Sequence, residues 1–135
     1  MTARLVGHSN DGVPGRPRNW STYQHSPRFH MSTITELNDA FRRTGAGGSV
    51  FVTSGIAALP EEAQGRILHR VATYNAFTEN NDPYGEHDFG SFGFGEQTIL
   101  WKIDCYDLTL RYASPDPANP AVTTRVLTIM LAEEY

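Results

Sequence analysis

The sequence predicts an α+β fold: an antiparallel sheet of four to five strands with two helices packed on one face. Three observations favour this class. Two segments with helical spacing of apolar residues, 34–43 and 60–76, come early in the chain. After residue 84 the apolar residues alternate, as they do in half-buried strands. The connections are short, which suits an antiparallel sheet with its helices on one side.

The first helix is predicted directly after Met31. Thr33 and Glu36 match the T-x-x-E capping box that opens many helices. Arg42 and Arg43 fall in the last turn, where cations are favourable near the negative end of the helix dipole. The predicted apolar face consists of Ile34, Leu37, Ala40 and Phe41.

A short buried strand, SVFVTSGI, is predicted between the two helices. The second helix is predicted from Pro60, because proline suits the first helical position and Glu61 and Glu62 suit the first turn. Its apolar stripe consists of Ala63, Ile67, Val71 and Tyr74.

The strand QTILWKIDCYD alternates cleanly, which predicts that Trp101 and Ile103 are buried against the helices. Cys105 falls on that same face and is expected to be an inert buried thiol. Lys102 and Asp104 fall on the opposite face, where an ion pair is expected. LTLRYAS predicts a short strand, SPDPANP a proline-pinned loop and TTRVLTIMLA a long final strand.

Charge divides the chain into an arm and one domain. Residues 1–30 contain four arginines and one aspartate, are rich in Gly, Pro and Ser, and show no period. They predict an irregular basic arm, either optional or not native, before a single α+β domain in residues 31–135. That domain has 7 basic and 14 acidic residues, so the whole chain carries a net charge of −4. An acidic domain argues against direct nucleic-acid binding and suits a protein partner with a basic surface.

Targeting features are missing from the sequence, which predicts a cytoplasmic protein. The N-terminus has no apolar signal region, and no apolar run is long enough to span a membrane. Cys105 is the only cysteine, so neither an intramolecular disulfide nor a cysteine metal cluster is expected.

The stretch NDPYGEHDFGSFGFG concentrates polar residues that could serve two different purposes. Asp82, Pro83 and Gly85 have the chemistry of a capped turn. If a strand begins at Glu86, alternation separates His87 from Glu86 and Asp88, and a metal would need further ligands such as Asp104. We therefore expect a turn without a metal or other cofactor, with His87 bonded to a backbone carbonyl. The alternative is a metal site built from His87, Asp88 and Asp104.

No motif in the sequence identifies a catalytic reaction. HDFG lacks the other elements of a protein kinase, and the glycines around residue 93 precede a strand, whereas a phosphate loop precedes a helix. The candidate binding residues are therefore polar groups chosen for their clustering or expected pairing. They are Asp82, Glu86, His87, Asp88, Lys102, Asp104, Asp107 and Arg125.

Several quoted stretches together resemble a known family. NDPYGEHDFG, WKIDCYD and SPDPANPAVTTRVLTIMLAEEY, with LNDAFR and GGSVFVTSGI upstream, are similar to the bacterial family named domain of unknown function 3768, over about residues 34–135. The resemblance implies a small protein of the kind often carried on plasmids and other mobile elements. It implies no activity, cofactor or catalytic residue.

Charge, the lack of a catalytic motif and this resemblance lead to one functional expectation. The chain is expected to be a small, acidic, non-enzymatic inhibitor or adaptor that binds another protein, such as a basic-surfaced nuclease of an anti-CRISPR or other host-defence target. A divalent-metal-dependent hydrolase or nuclease built around Glu86, His87, Asp88 and Asp104 is the alternative. A homodimer that uses the open face of its sheet is a third possibility.

Overall fold

The structure is a computed structural model that describes the backbone of residues 3–5 and 29–135 and the side chains of residues 33–135. A mixed sheet contains the strands β2 (Gly48–Thr53), β3 (Phe89–Phe94), β4 (Gln97–Tyr106) and β5 (Thr124–Leu131), and the short β1 (Ala3–Leu5) pairs with β2. The helices are α1 (Phe29–Thr44), α2 (Ser54–Ala57) and α3 (Glu61–Ala72). Two 3₁₀ turns, Pro120–Val122 and Ala132–Glu134, flank β5.

The strand order β1-β2-β5-β4-β3 confirms an α+β fold but makes the predicted antiparallel sheet wrong at one pair. β5 lies between β2 and β4 and runs parallel to β2, whereas the other neighbours are antiparallel. Alternation of apolar residues tells which face a side chain takes, but it carries no information about the direction of the neighbouring strand. The parallel pair therefore could not be predicted from the period of the sequence.

One face of the sheet forms the core. The strand registers align Val52 with Ile129, Ile129 with Trp101 and Trp101 with Gly90, so these residues share a face. Trp101 is fully buried and Ile103 nearly so, which confirms the predicted register of β4. Residues of all three helices join the same buried cluster, namely Phe41, Ile56, Ile67 and Val71.

Several predicted boundaries were wrong. α1 begins at Phe29, so Thr33 lies inside the helix and the predicted capping box does not start it. α3 ends at Ala72 and not near residue 76, and Pro60 occupies the position before its first residue. The strand predicted in residues 108–114 is reduced to one bridge between Tyr106 and Ala113. Hydrogen bonds to Asp107 close a turn there and override the strand propensity of these residues.

The predicted arm lies mostly outside the described residues. Within it, residues 3–5 form β1 and residues 29–30 belong to α1, so these two parts are regular rather than irregular. Within the described ranges, no helix combines the length and apolar character needed to cross a membrane.

A single carboxylate ties the segment after β5 to the start of α2. Glu134 Oε1 accepts hydrogen bonds from the Thr53 hydroxyl and from the Leu131 N–H, and Glu134 Oε2 accepts one from the Gly55 N–H. A side chain at Gly55 would come within 2.7 Å of Glu134 Cδ, so glycine permits this close approach. Desolvation acts to raise the pKa of Glu134, but the hydrogen bonds together hold that pKa below its usual value.

Replacing Glu134 with Gln should destabilise the fold at neutral pH. Glutamine keeps the shape but loses the charge and one acceptor oxygen, so the free energy of unfolding should fall by about 1.5–3 kcal/mol. That loss corresponds to a Tm lower by roughly 5–10 °C for a chain of this size. Thermal melting followed by circular dichroism measures the difference.

The pH dependence of that difference has a defined sign. Because the folded pKa of Glu134 is lowered, its contribution is complete above the unfolded pKa of about 4.3 and disappears as pH falls through the folded pKa. Melting curves of wild type and Glu134→Gln should therefore converge in acid. The exposed neighbour Glu133→Gln is the control and should melt like wild type. Equal Tm values for Glu134→Gln and wild type at pH 7 would contradict a stabilising role for the Glu134 hydrogen bonds.

Candidate functional site

The acidic stretch of residues 78–88 is a closed turn ahead of β3. The Asp82 N–H donates to the Thr78 carbonyl, the Gly85 N–H donates to the Asp82 carbonyl, and Gly85 has φ +67°. The Asp82 carboxylate accepts from the His87 N–H at 3.3 Å. The turn chemistry predicted from the sequence is present. The strand predicted to begin at Glu86 begins only at Phe89, because His87 has φ +57° and breaks the alternation.

His87 is held by carboxylates and by an aromatic ring. Its Nδ1 lies 3.0 Å from Asp39 Oδ1 on α1, and its Nε2 lies 3.7 Å from Asp82 Oδ2. The imidazole stacks on Phe77 with the ring centres 3.8 Å apart. The predicted bond from His87 to a backbone carbonyl is therefore wrong, because Asp39, a residue distant in sequence, supplies the acceptor.

Arg42 connects this histidine to the core. Its Nη2 donates to Asp39 Oδ1 at 3.0 Å and to the Tyr74 carbonyl at 3.2 Å. Its guanidinium lies 5.1 Å from the Trp101 ring centre and 5.4 Å from that of Phe77. Burial lowers the pKa of Arg42, and the nearby Asp39 carboxylate opposes that shift. Asp39 therefore balances a buried cation and orients His87 at the same time.

Arg125 forms a second buried centre on β5. The Arg125 Nε donates to Asn38 Oδ1 at 2.7 Å and its Nη2 donates to the Pro117 carbonyl at 2.8 Å. Asn38 Nδ2 in turn donates to the Glu86 carbonyl at 2.9 Å, which ties the acidic turn to α1. Burial lowers the pKa of Arg125, and the two hydrogen-bond partners just named are neutral groups.

Acidic groups gather beside the Asp82 turn. Burial first, and then the neighbouring carboxylates, raises the pKa of Glu86 and of Asp88. Asp104 is one of the carboxylates that act on Asp88, and it pairs with Lys102 Nζ at 2.9 Å. That ion pair confirms the predicted pairing, and its hydrogen bond raises the pKa of Lys102. Among residues 33–135, no three His, Cys, Asp or Glu side chains form a group that could hold a metal ion.

Cys105 lies on the Trp101 face and packs against the core while half-buried. Burial raises the pKa of its thiol, which keeps it in the less reactive neutral form.

Asp107 organises a different part of the surface, which we call the tip loop (residues 107–113). Its Oδ1 accepts from the Thr109 N–H and hydroxyl and from the Arg111 N–H. Its own N–H donates to the Tyr112 carbonyl, and the Leu110 N–H donates to the Asp107 carbonyl. The Thr109 hydroxyl first, and then the backbone N–H groups, lower the pKa of Asp107. One carboxylate thus fixes the whole loop.

The structure brings together only part of the predicted set. Asp82, Glu86, His87 and Asp88 lie in or next to the turn, and Arg125 reaches it through Asn38. Lys102 and Asp104 form a separate pair on the other face of β4, and Asp107 lies in the tip loop. Sequence reasoning missed Asn38, Asp39 and Arg42. Asn38 and Asp39 lie four and three residues before Arg42 on one helix. Side chains at this spacing are neighbours, and this was the signal in the sequence that could have indicated the cluster.

Comparison with protein families identifies the chain. It belongs to the family described as protein of unknown function (DUF3768), whose model matches residues 52–134. That range includes the acidic turn, β3 to β5, the tip loop and Glu134, and it confirms the family resemblance of the sequence. Neither a curated protein nor a solved structure matches the chain.

Replacing Asn38 with Leu should strongly destabilise the fold. Arg125 would keep its buried charge but lose the acceptor for Nε, and the Glu86 carbonyl would lose a donor. Hydrogen bonds to charged groups contribute about 1.5–3 kcal/mol each, so we expect a loss of about 2–3 kcal/mol or more. Denaturant unfolding measures it.

A double-mutant cycle separates this pairing from general damage. Arg125→Met removes the buried charge itself, so the double variant should lose clearly less than the sum of the two single variants. Glu36→Leu, at an exposed position of the same helix, is the control and should lie within about 0.5 kcal/mol of wild type. Additive losses would contradict a direct dependence of Arg125 on Asn38.

Divalent metals should leave the Tm unchanged. The His87 ring already bonds to Asp39 and stacks on Phe77, and the Asp104 carboxylate is paired with Lys102. A real site would add about 2.7 kcal/mol of stability at a hundredfold excess of metal over Kd. Melting with Mn²⁺, Mg²⁺ and Zn²⁺ tests this. A Mn²⁺-dependent rise in Tm that is lost in both His87→Ala and Asp88→Ala would favour a metal-dependent hydrolase instead.

Proposed function

We propose that this chain is a non-enzymatic binding protein, an inhibitor or adaptor that docks on another protein through its tip loop. The observation that carries the proposal is the exposure of three large apolar side chains on this one fixed loop. Leu108 is 63 % exposed, Leu110 54 % and Tyr112 69 %. Single exposed apolar residues are common, but such a cluster is typical of an interaction site.

The loop is already in a binding conformation before any partner arrives. Asp107 fixes it through hydrogen bonds to Thr109 and Arg111. Leu110 has φ +62°, a conformation that costs a leucine free energy and persists because its surroundings impose it. A loop that needs no ordering on binding loses little conformational entropy, so more of its contact energy contributes to affinity.

The charge around the loop indicates the kind of partner. The tip loop itself carries one acid, Asp107, and one base, Arg111, and the chain as a whole is acidic with a net charge of −4. We propose a partner protein with an apolar pocket for Leu108 and Tyr112 and a basic surface around it. The binding needs no cofactor, membrane or direct contact with nucleic acid.

The setting of this activity is part of the proposal. A nuclease or other host-defence complex in the cytoplasm has the basic surface that an acidic inhibitor from a mobile element would occupy.

We also propose that α1 and α3 pack together on the Trp101 face of the sheet. Arg42 of α1 and Tyr74, two residues after α3, both contact Trp101, and Phe41 and Val71 share its cluster.

Site-specific photo-crosslinking tests the docking surface. A benzophenone amino acid placed at Tyr112 should crosslink to one abundant partner in cells that express the chain from its own gene. The same group at Tyr135, which is 75 % exposed, is a matched control for exposure and should not give that product. Mass spectrometry of the crosslinked peptide identifies the contact.

A variant with Leu108→Ser and Tyr112→Ser should lose the partner, while its Tm stays close to wild type because both side chains are exposed. Equal crosslinking from positions 112 and 135, or full partner binding by the double variant, would overturn docking through the tip loop.

A further inference from the structure

A groove lies between α3 and Phe94, the last residue of β3. Its walls enclose about 480 Å³, and the lining residues are Glu62, Gly65, Arg66, His69, Arg70 and Phe94. We propose that this groove binds an extended acidic peptide segment of a partner protein, which adds as a strand to the edge of β3. The site is separate from the tip loop and does not rest on it.

The backbone of β3 directs a regular set of hydrogen-bonding groups away from the sheet. The Asp88 carbonyl accepts from the Ile103 N–H of β4, whereas the Gly93 carbonyl accepts from the Arg70 side chain. In an antiparallel pair alternate residues face the same neighbour, so Phe89, Ser91 and Gly93 direct their N–H and C=O groups outward. In the sheet order of the described strands, β3 lies at the edge.

The composition of β3 leaves this edge open to pairing. Proteins usually protect an edge strand with lysine, proline or a bulge, since unpaired groups are a template for another strand. β3 reads FGSFGF and contains no charged residue and no proline. Ser91 and Gly93 are exposed, and the space that a Cβ on Gly93 would occupy is empty for 4 Å. Ser91 and Gly93 therefore do not obstruct a peptide at this edge.

The helix side of the groove determines the charge of the occupant. The Arg70 guanidinium lies 4.4 Å from the Phe92 ring centre, and its Nη1 donates to the Gly93 carbonyl at 3.4 Å. These contacts place the guanidinium beside Gly93 at the edge of β3. Arginine held in this way binds carboxylates with two parallel hydrogen bonds. Arg66 is paired with Glu62, so the lining has an excess of one positive charge with neutral His69.

An acidic peptide fits this site better than a second copy of the chain. Two β3 edges paired antiparallel would place each Arg70 beside the FGSFGF strand of the other copy, which supplies no carboxylate to neutralise it. A peptide that adds to an edge strand gains affinity from its backbone and specificity from alternate side chains. A Glu or Asp opposite Arg70 and an apolar residue against Phe94 satisfy both parts of the groove.

Selection from a random peptide display library tests the proposal with the full-length protein as bait. Wild type should enrich peptides that combine Asp or Glu with β-branched or aromatic residues. Arg70→Glu should bind the enriched peptide at least about tenfold more weakly and should enrich Lys- or Arg-containing peptides instead. An unchanged preference in Arg70→Glu, or no enriched peptide with wild type, overturns the proposal.

A second variant tests pairing through the backbone. Ser91→Pro removes one outward N–H at an edge position where proline is tolerated, and it should abolish binding, while Ser91→Ala should bind like wild type. Amide chemical shifts of Phe89, Ser91 and Gly93 should move on titration with the enriched peptide, and these shifts decide the matter even if Ser91→Pro fails to fold. Shifts confined to other regions overturn the proposal.

The same samples separate this site from the tip loop. The Leu108→Ser and Tyr112→Ser double variant should bind the peptide as wild type does, so a failure of one surface leaves the other testable. Sedimentation of the protein without peptide reports self-association. A dimer that Ser91→Pro disrupts, together with no peptide binding, would assign the edge to a second copy and overturn the peptide site.

Discussion

The buried Trp101 ring is the constraint on which the rest of the structure depends. A side chain at Gly90 would come within 2.5 Å of Trp101 Nε1, so β3 can cover the ring only because residue 90 is glycine. The edges of the Tyr74 and Phe77 rings and the Arg42 guanidinium occupy its other sides. Arg42 requires Asp39, and Asp39 orients His87. The position of the acidic turn therefore follows from packing around one indole.

The polar stretch for which the sequence left a metal site open takes part in these contacts, with His87 bonded to Asp39. Three pairs near His87 are defined: Asp39 with Arg42, Asp82 with the His87 backbone, and Asn38 with Arg125. Buried polar groups of this kind fix one arrangement of the elements they join, because breaking any single bond leaves its partner unsatisfied. The two surfaces proposed for binding consist instead largely of apolar and backbone groups.

The sequence predicted the two faces of β4 but not the arrangement of the strands. The alternation around Trp101 and the pair Lys102–Asp104 followed from local periodicity, and both are present. The parallel pairing of β2 with β5 and the Asp39–His87 contact join residues far apart in sequence, so no local pattern encodes them. The tip loop was misjudged because β-branched and aromatic residues suggest a strand, whereas Asp107 captures the backbone N–H groups of Thr109 and Arg111. Asp107 was predicted as a candidate binding residue, but the capping of the turn by its carboxylate was not predicted.

The central position of β5 has a consequence for how the chain acquires its structure during synthesis. When the ribosome has made β2, the three helices and the β3–β4 hairpin, β2 and β4 still have no common neighbour, because β5 is translated after them. Until β5 emerges, the edges of β2 and β4 that face it are unpaired. The pairing of Gly48 with Arg125 then closes a long loop, and such non-local pairing slows folding.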